Sequence, residues 1–158
     1  MEYLITHPIF TQGIILVDST VHGLHHWQRV ERFGLMIAEQ NGADKQVISL
    51  FAYLHDARRE TDFHDIDHGR RAAVLLDELI EAELVSLSDL QYQQLKLALC
   101  EHCCDNASSD DITVQACWDA DRLDLWRDNV EPNPDMMFTD YGKSRQMINF
   151  AKELNFGI

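Results

Sequence analysis

Apolar residues recur at intervals of three and four along most of the chain, the spacing that lays one side of an α-helix against a core. Val30, Phe33 and Ile37 form one such stripe, and His26 continues it upstream. Asn41-Gly42 supplies a helix stop. Val47, Phe51, Leu54 and His55 predict a second helix from about Asp44 to His55, which leaves Asp56 at its C-terminal end. Residues 58–67 are polar and aperiodic, and read as a loop. A third helix begins near His68 and buries Ala72, Leu75, Leu76 and Leu79. Ser88 with Gln91 is a capping-box pair for a fourth helix, whose inner side carries Leu95, Ala98 or Leu99, and His102. A second polar loop spans Asp105 to Asp111. A fifth helix from about Thr113 carries Val114, Cys117 and Asp121. Pro132-Asn133-Pro134 breaks the chain, and a last helix from about Asp140 uses Ile148, Ala151 and Leu154. Strand-like alternation is nearly absent. The pattern predicts an all-α, single-domain bundle of about six helices over residues 1–158, with its chemistry in about 20–125 and a C-terminal helix in about 140–155.

This pattern has a chemical consequence. His26, His55, His102 and Asp121 each extend the apolar stripe of a different helix, so their side chains turn towards the core. An isolated polar group there is expensive. Several converging ones are stable if they share hydrogen bonds or a cation. Imidazoles mixed with carboxylates suit a divalent transition metal.

Charge narrows the partners. Thirteen Lys and Arg against 27 Asp and Glu leave a net charge of −14, which repels polyanions and argues against binding a nucleic acid polymer. Small phosphorylated ligands stay compatible, because a bound cation dominates its own pocket. No apolar run is long enough to span a bilayer, and the first ten residues lack the basic region of a secretory signal. Four cysteines then read as reduced thiols of a cytoplasmic protein. Cys100 and Cys103 have the spacing of a zinc half-site, but with no second pair they read as buried thiols on a helix.

The order His26, His55-Asp56, Asp121 resembles the metal-binding signature of the HD superfamily of metal-dependent phosphohydrolases. His26-Trp27-Gln28-Arg29-Val30 is similar to the family's first-histidine helix, Leu54-His55-Asp56 to the end of its second, and Asp119-Ala120-Asp121-Arg122-Leu123-Asp124 to its last metal motif. His55-Asp56-Ala57-Arg58-Arg59-Glu60, Asp67-His68-Gly69 and Cys117-Trp118-Asp119 look like a bacterial subgroup of small, stand-alone HD proteins. The resemblance covers roughly residues 20 to 125. It implies that His26, His55, Asp56 and Asp121 hold one divalent ion. Manganese, iron, cobalt or nickel are favoured, with magnesium and zinc also compatible. Two-metal members add two further histidines, a role open to His68 and His102. The short interval from His55 to His68 counts against it, and His68 has the alternative of a helix-start residue bonding Asp67 or a phosphate.

Around this set, His22 stands four positions before His26 and is placed to line the pocket or orient a ligand. Arg58 and Arg59 follow the doublet directly. Some one-metal relatives carry a water-activating acid where this chain has Arg59; a guanidinium there suits phosphate binding instead. The plainer alternative is that both arginines neutralise an acidic loop. Asp124, one turn from Asp121, is placed to bond a ligand histidine. His7, His25 and His64 read as solvated or structural.

The resemblance implies a hydrolase acting on a small phosphate ester, a nucleotide above others. Asp56 or Asp121 would take the proton of the attacking water, and His102 or His68 would protonate the leaving group. Two alternatives stay open: a di-iron oxygenase of the same superfamily, and a nucleotide-binding module without turnover.

Overall fold

The computed structural model describes residues 2–104 and 106–157; Asp105, where the second polar loop was expected to begin, lies outside the described residues, as do Met1 and Ile158. Among the described residues there are eight α-helices and no strand. They are α1 (Glu2–Thr6), α2 (Pro8–Thr11), α3 (Leu24–Asn41), α4 (Lys45–Leu54), α5 (His68–Glu81), α6 (Asp89–Glu101), α7 (Ile112–Leu123) and α8 (Arg145–Phe156). Two 3-10 turns, Asp124–Asp128 and Pro134–Met136, lie between α7 and α8. The expected six are α3 to α8. The additional two, α1 and α2, are of five and four residues, too short for a periodic stripe to reveal.

Capping residues set the boundaries. Gly42 closes α3 in the left-handed conformation at φ 78°, with its N–H on the Ala38 carbonyl. Asp44 caps α4 through Gln46 and Val47, and Asp111 caps α7 through Thr113 and Val114. The Ser88–Gln91 capping box is fully formed. The last helix starts at Arg145, later than expected, because Ser144 is its cap and accepts from the Met147 N–H.

α3 packs on α4 and α7, and α6 on α4, α5 and α7. Their apolar sides meet in one core containing Trp27, Phe33, Phe51, Leu76, Leu99 and Trp118. The Trp118 indole N–H reaches the Ala98 carbonyl at 3.0 Å and ties α7 to α6. α6 and α7 run parallel. Gln94, in the first half of α6, bonds Asp111 at 2.8 Å, so the chain has travelled back along α6 before α7 begins. The ends of α4, α6 and α7 and the starts of α3 and α5 therefore meet at one end of the bundle.

That end holds the polar interior. Nine polar or charged residues are buried among the described ones, and six of them (His22, His26, His55, Asp56, His68 and Asp124) gather there. Of the rest, Asp119 accepts from the Phe138 and Thr139 N–H groups and the Thr139 hydroxyl, fastening residues 138–139 to α7 away from the cluster.

Candidate metal centre

His26 lies in the first turn of α3, His55 caps α4, Asp56 follows it, and Asp121 is in the last turn of α7. Their donor atoms converge. His26 Nε2 stands 3.0 Å from His55 Nε2, 3.6 Å from Asp56 Oδ2 and 3.3 Å from Asp121 Oδ1. His55 Nε2 stands 3.5 Å from Asp56 Oδ2 and 3.7 Å from Asp121 Oδ1. Donors bonded at about 2.1 Å to one cation sit about 3.0–3.4 Å apart in octahedral or tetrahedral geometry. The observed separations are close to that range.

Tautomers sharpen the case. His55 Nδ1 faces only the Phe51 and Ala52 carbonyls, at 3.2 and 3.0 Å. His26 Nδ1 faces Asp124 Oδ2 at 2.7 Å. Both Nδ1 atoms must donate, so in the neutral rings both Nε2 atoms carry lone pairs. Two buried lone pairs 3.0 Å apart repel unless a cation or proton lies between them. Charge agrees: Arg29 is taken up by Asp124, at 2.7 and 2.9 Å, and Arg59 by the far oxygen of Asp56, which leaves Asp56 Oδ2 and Asp121 Oδ1 facing the two Nε2 atoms without a guanidinium of their own. A divalent ion neutralises these oxygens. The four residues fit the metal that the resemblance implies.

Burial lowers the His55 pKa to about 3, against the pull of Asp56 and Asp121, and keeps the ring in its ligating form. Burial and the charge of Arg127 oppose protonation of His26, but hydrogen bonds to Asp121 and Asp124 outweigh them and its pKa is raised. Burial alone would raise the Asp56 and Asp121 carboxyls; the neighbouring imidazoles overcome it and hold both well below the usual carboxylate range. His26, His55 and Asp56 are sealed from solvent, whereas the Asp121 side chain is 20% exposed and marks the open side.

A second donor set adjoins the first. Asp56 turns its other oxygen, Oδ1, towards His68 Nε2 at 3.4 Å and His102 Nε2 at 3.9 Å. His68 and His102 approach each other Nε2 to Nε2 at 2.7 Å. Their Nδ1 atoms are again committed to carbonyls, His68 to Asp65 and His102 to Leu99. Thus His68 pairs with the carbonyl of Asp65, not with Asp67 as one sequence reading had it. The Cys103 sulfur completes a group with His68 and His102 whose ligand atoms all lie within 4.8 Å. Cys103 and Cys104 are exposed and Cys100 is partly exposed, which corrects the expectation of buried thiols; Cys117 alone is buried. The short His55–His68 interval is accommodated because the loop between them folds tightly, pinned by Arg71 on Asp65 (2.6 Å) and on the Arg58 carbonyl (3.0 Å).

The two arginines part company. Arg59 reaches Asp56 Oδ1 at 3.3 Å and His68 Nε2 at 3.2 Å, while its other nitrogens hold the Thr61 and Phe63 carbonyls. Arg58 points elsewhere: it donates to the Ile9 and Phe10 carbonyls, both at 3.0 Å, and anchors α2. His22 is buried beside His26, with ring centroids 6.4 Å apart, and bonds Asp62 at 2.9 Å. It precedes α3 instead of forming its first turn. Exposed His25 and His64 take no part.

Residues that periodicity did not single out include Arg29 and Asn155, which bond Asp124, and Asp62, which bonds His22 and Ser19. Arg29 lies three positions after His26, so helical spacing carried a signal. Asn155 lies on α8, and nothing local marks it.

No protein-family model matches the chain, and no curated protein does. Among solved structures it is similar to the crystal structure of a predicted HD superfamily hydrolase from an uncultured Thermotogales bacterium. The TM-score is 0.68 and the identity 22%, over 92% of this chain and 82% of that one. The all-helical frame that gathers these histidines and aspartates is the fold of that predicted HD superfamily hydrolase.

Proposed function

We propose that the protein is a metal-dependent phosphohydrolase acting on a small phosphate ester, with nucleotides the first substrates to test. The observation that carries this reading is the convergence of His26 Nε2 and His55 Nε2, at 3.0 Å, with carboxylate oxygens of Asp56 and Asp121. The shared fold with a predicted hydrolase supports it. A divalent cation held by these four residues supplies Lewis acidity and a nucleophilic water near neutral pH.

The chain supplies the rest. Asp121, the more open carboxylate, or Asp56 takes the proton of the attacking water. Arg59, poised beside Asp56 and His68, binds phosphoryl oxygens where charge accumulates. The 2.7 Å contact between His68 and His102 accommodates one shared proton, which one of the two imidazoles would pass to the leaving oxygen. Four unpaired thiols fit a reducing compartment, and the cytoplasm is the proposed location. No described helix is long and apolar enough to cross a membrane.

A second reading has its own observation. Asp56 Oδ1, His68, His102 and Cys103 form a donor set in which a second cation would replace the shared proton. With two irons, oxygen chemistry becomes the competing function. Metal analysis followed by a phosphoester panel decides. One exchangeable ion and metal-dependent phosphate release support hydrolysis. Two irons, oxygen consumption and no phosphate release would replace it. Nucleotide binding without turnover under every metal would make the protein a binding module.

A further inference from the structure

Arg127 is a buried guanidinium without an acceptor. Its side chain is 9% exposed, and its Nε and Nη1 atoms make no hydrogen bond. The acid nearest to it, Asp128, stands 3.9 Å from Nε, too far to accept. Elsewhere the buried or half-buried arginines are satisfied: Arg29 by Asp124, Arg58 by two carbonyls, Arg59 by Asp56 and two carbonyls. A charge-bearing group left in this state destabilises a fold, so it requires a reason.

The backbone provides one. Asp124–Asp128 is a 3-10 turn, in which side chains three apart eclipse. Asp124 faces His26, so Arg127 stands one turn further on, on the same side of the segment. The effect of its charge agrees with that placement. The charge of Arg127 is felt at His22, His26 and Asp121. Arg59 and Arg127 thus flank the centre from different segments, one after α4 and one after α7, in a chain whose net charge is −14.

We propose that Arg127 is a substrate-anion residue, whose unpaired guanidinium binds an oxygen of a phosphate group presented at the His26–His55–Asp56–Asp121 centre. The assignment deepens the phosphohydrolase reading and rests on it for the ion beside the phosphate. A planar, permanently charged guanidinium suits the oxygens of a tetrahedral oxyanion.

The test is binding, not turnover. Manganese-loaded protein is titrated with inorganic phosphate by calorimetry, and its melting temperature is read with and without phosphate. Arg127→Met should weaken phosphate binding at least tenfold with manganese content unchanged. Its melting temperature without phosphate should equal or exceed that of the parent, and the phosphate-induced rise should shrink. Arg127→Lys should fall between the two. Arg70→Met, at an exposed helix position, controls for general charge and should change nothing. Unaltered phosphate affinity in Arg127→Met, or no phosphate binding by the parent protein, overturns the proposal. If Arg127→Met does not fold, Arg127→Lys decides: unchanged affinity there overturns it equally. Should no phosphoester be cleaved while Arg127→Met still loses phosphate, the hydrolytic reading falls and the anion site stands.

Discussion

Asp124 holds the Nδ1 of His26 at 2.7 Å, and that one bond decides which imidazole nitrogen faces Asp121. Asp124 is itself fixed by the Arg29 fork and by the Asn155 amide at 2.9 Å. A carboxylate behind a ligand histidine sets its tautomer and raises its basicity. Asp124→Asn removes the charge and leaves Arg29 underpaired. Metal affinity should fall about 10–100-fold, measured by competition with a chromogenic chelator, and the melting temperature should fall with it.

Asp56 offers one oxygen to each donor set. Asp56→Ala should abolish stoichiometric metal after dialysis, read by elemental analysis. Retention of a full equivalent would refute the ligand assignment.

Arg58 and Arg59 should separate in function. Arg59→Gln should raise KM for a phosphorylated substrate about tenfold, the loss expected of one charge-assisted hydrogen bond, with metal content normal. Arg58→Gln should leave KM unchanged and lower the melting temperature, because its two bonds hold the Ile9 and Phe10 carbonyls. Equal kinetic effects in the two variants would contradict this division.

His102 meets His68 at 2.7 Å behind Asp56. His102→Ala should lower kcat about 100-fold or more while KM changes little, since a proton donor acts in the transition state. A comparable loss in an equilibrium substrate-binding measurement would instead assign His102 to substrate affinity. Loss of a second metal equivalent in the same variant would identify the histidine pair as a cation site.

Gly69 sits where α5 crosses α6: a Cβ there would collide with the Leu99 carbonyl oxygen. That carbonyl also accepts from His102 Nδ1. Gly69→Ala should lower the melting temperature and weaken metal retention at the histidine pair, through displacement of His102. Neither change occurring would mean that the crossing is more pliable than its packing implies.

The helical frame was legible in the chain because the relevant signals are local. Stripes at three and four, the Ser88–Gln91 box, the Asn41-Gly42 stop and the Pro132-Asn133-Pro134 break depend on residues within a turn or two of one another. The candidate ligands were legible for the same reason, as polar residues placed on apolar stripes. Spacing alone could not tell Arg58 from Arg59: adjacent side chains near a helix end point in different directions, and only the packing of α2 claims one of them. Nor could it assign a partner to Asp124 or expose Arg127 as lacking one. Those properties rest on Asn155 arriving from α8 and on a turn tightening to 3-10 after α7. The apolar stripes by themselves determined which side of each long helix turns inward; tertiary structure decided which inward atoms meet and left Cys103 at the surface, because a stripe is set by one helix and contact by all of them together.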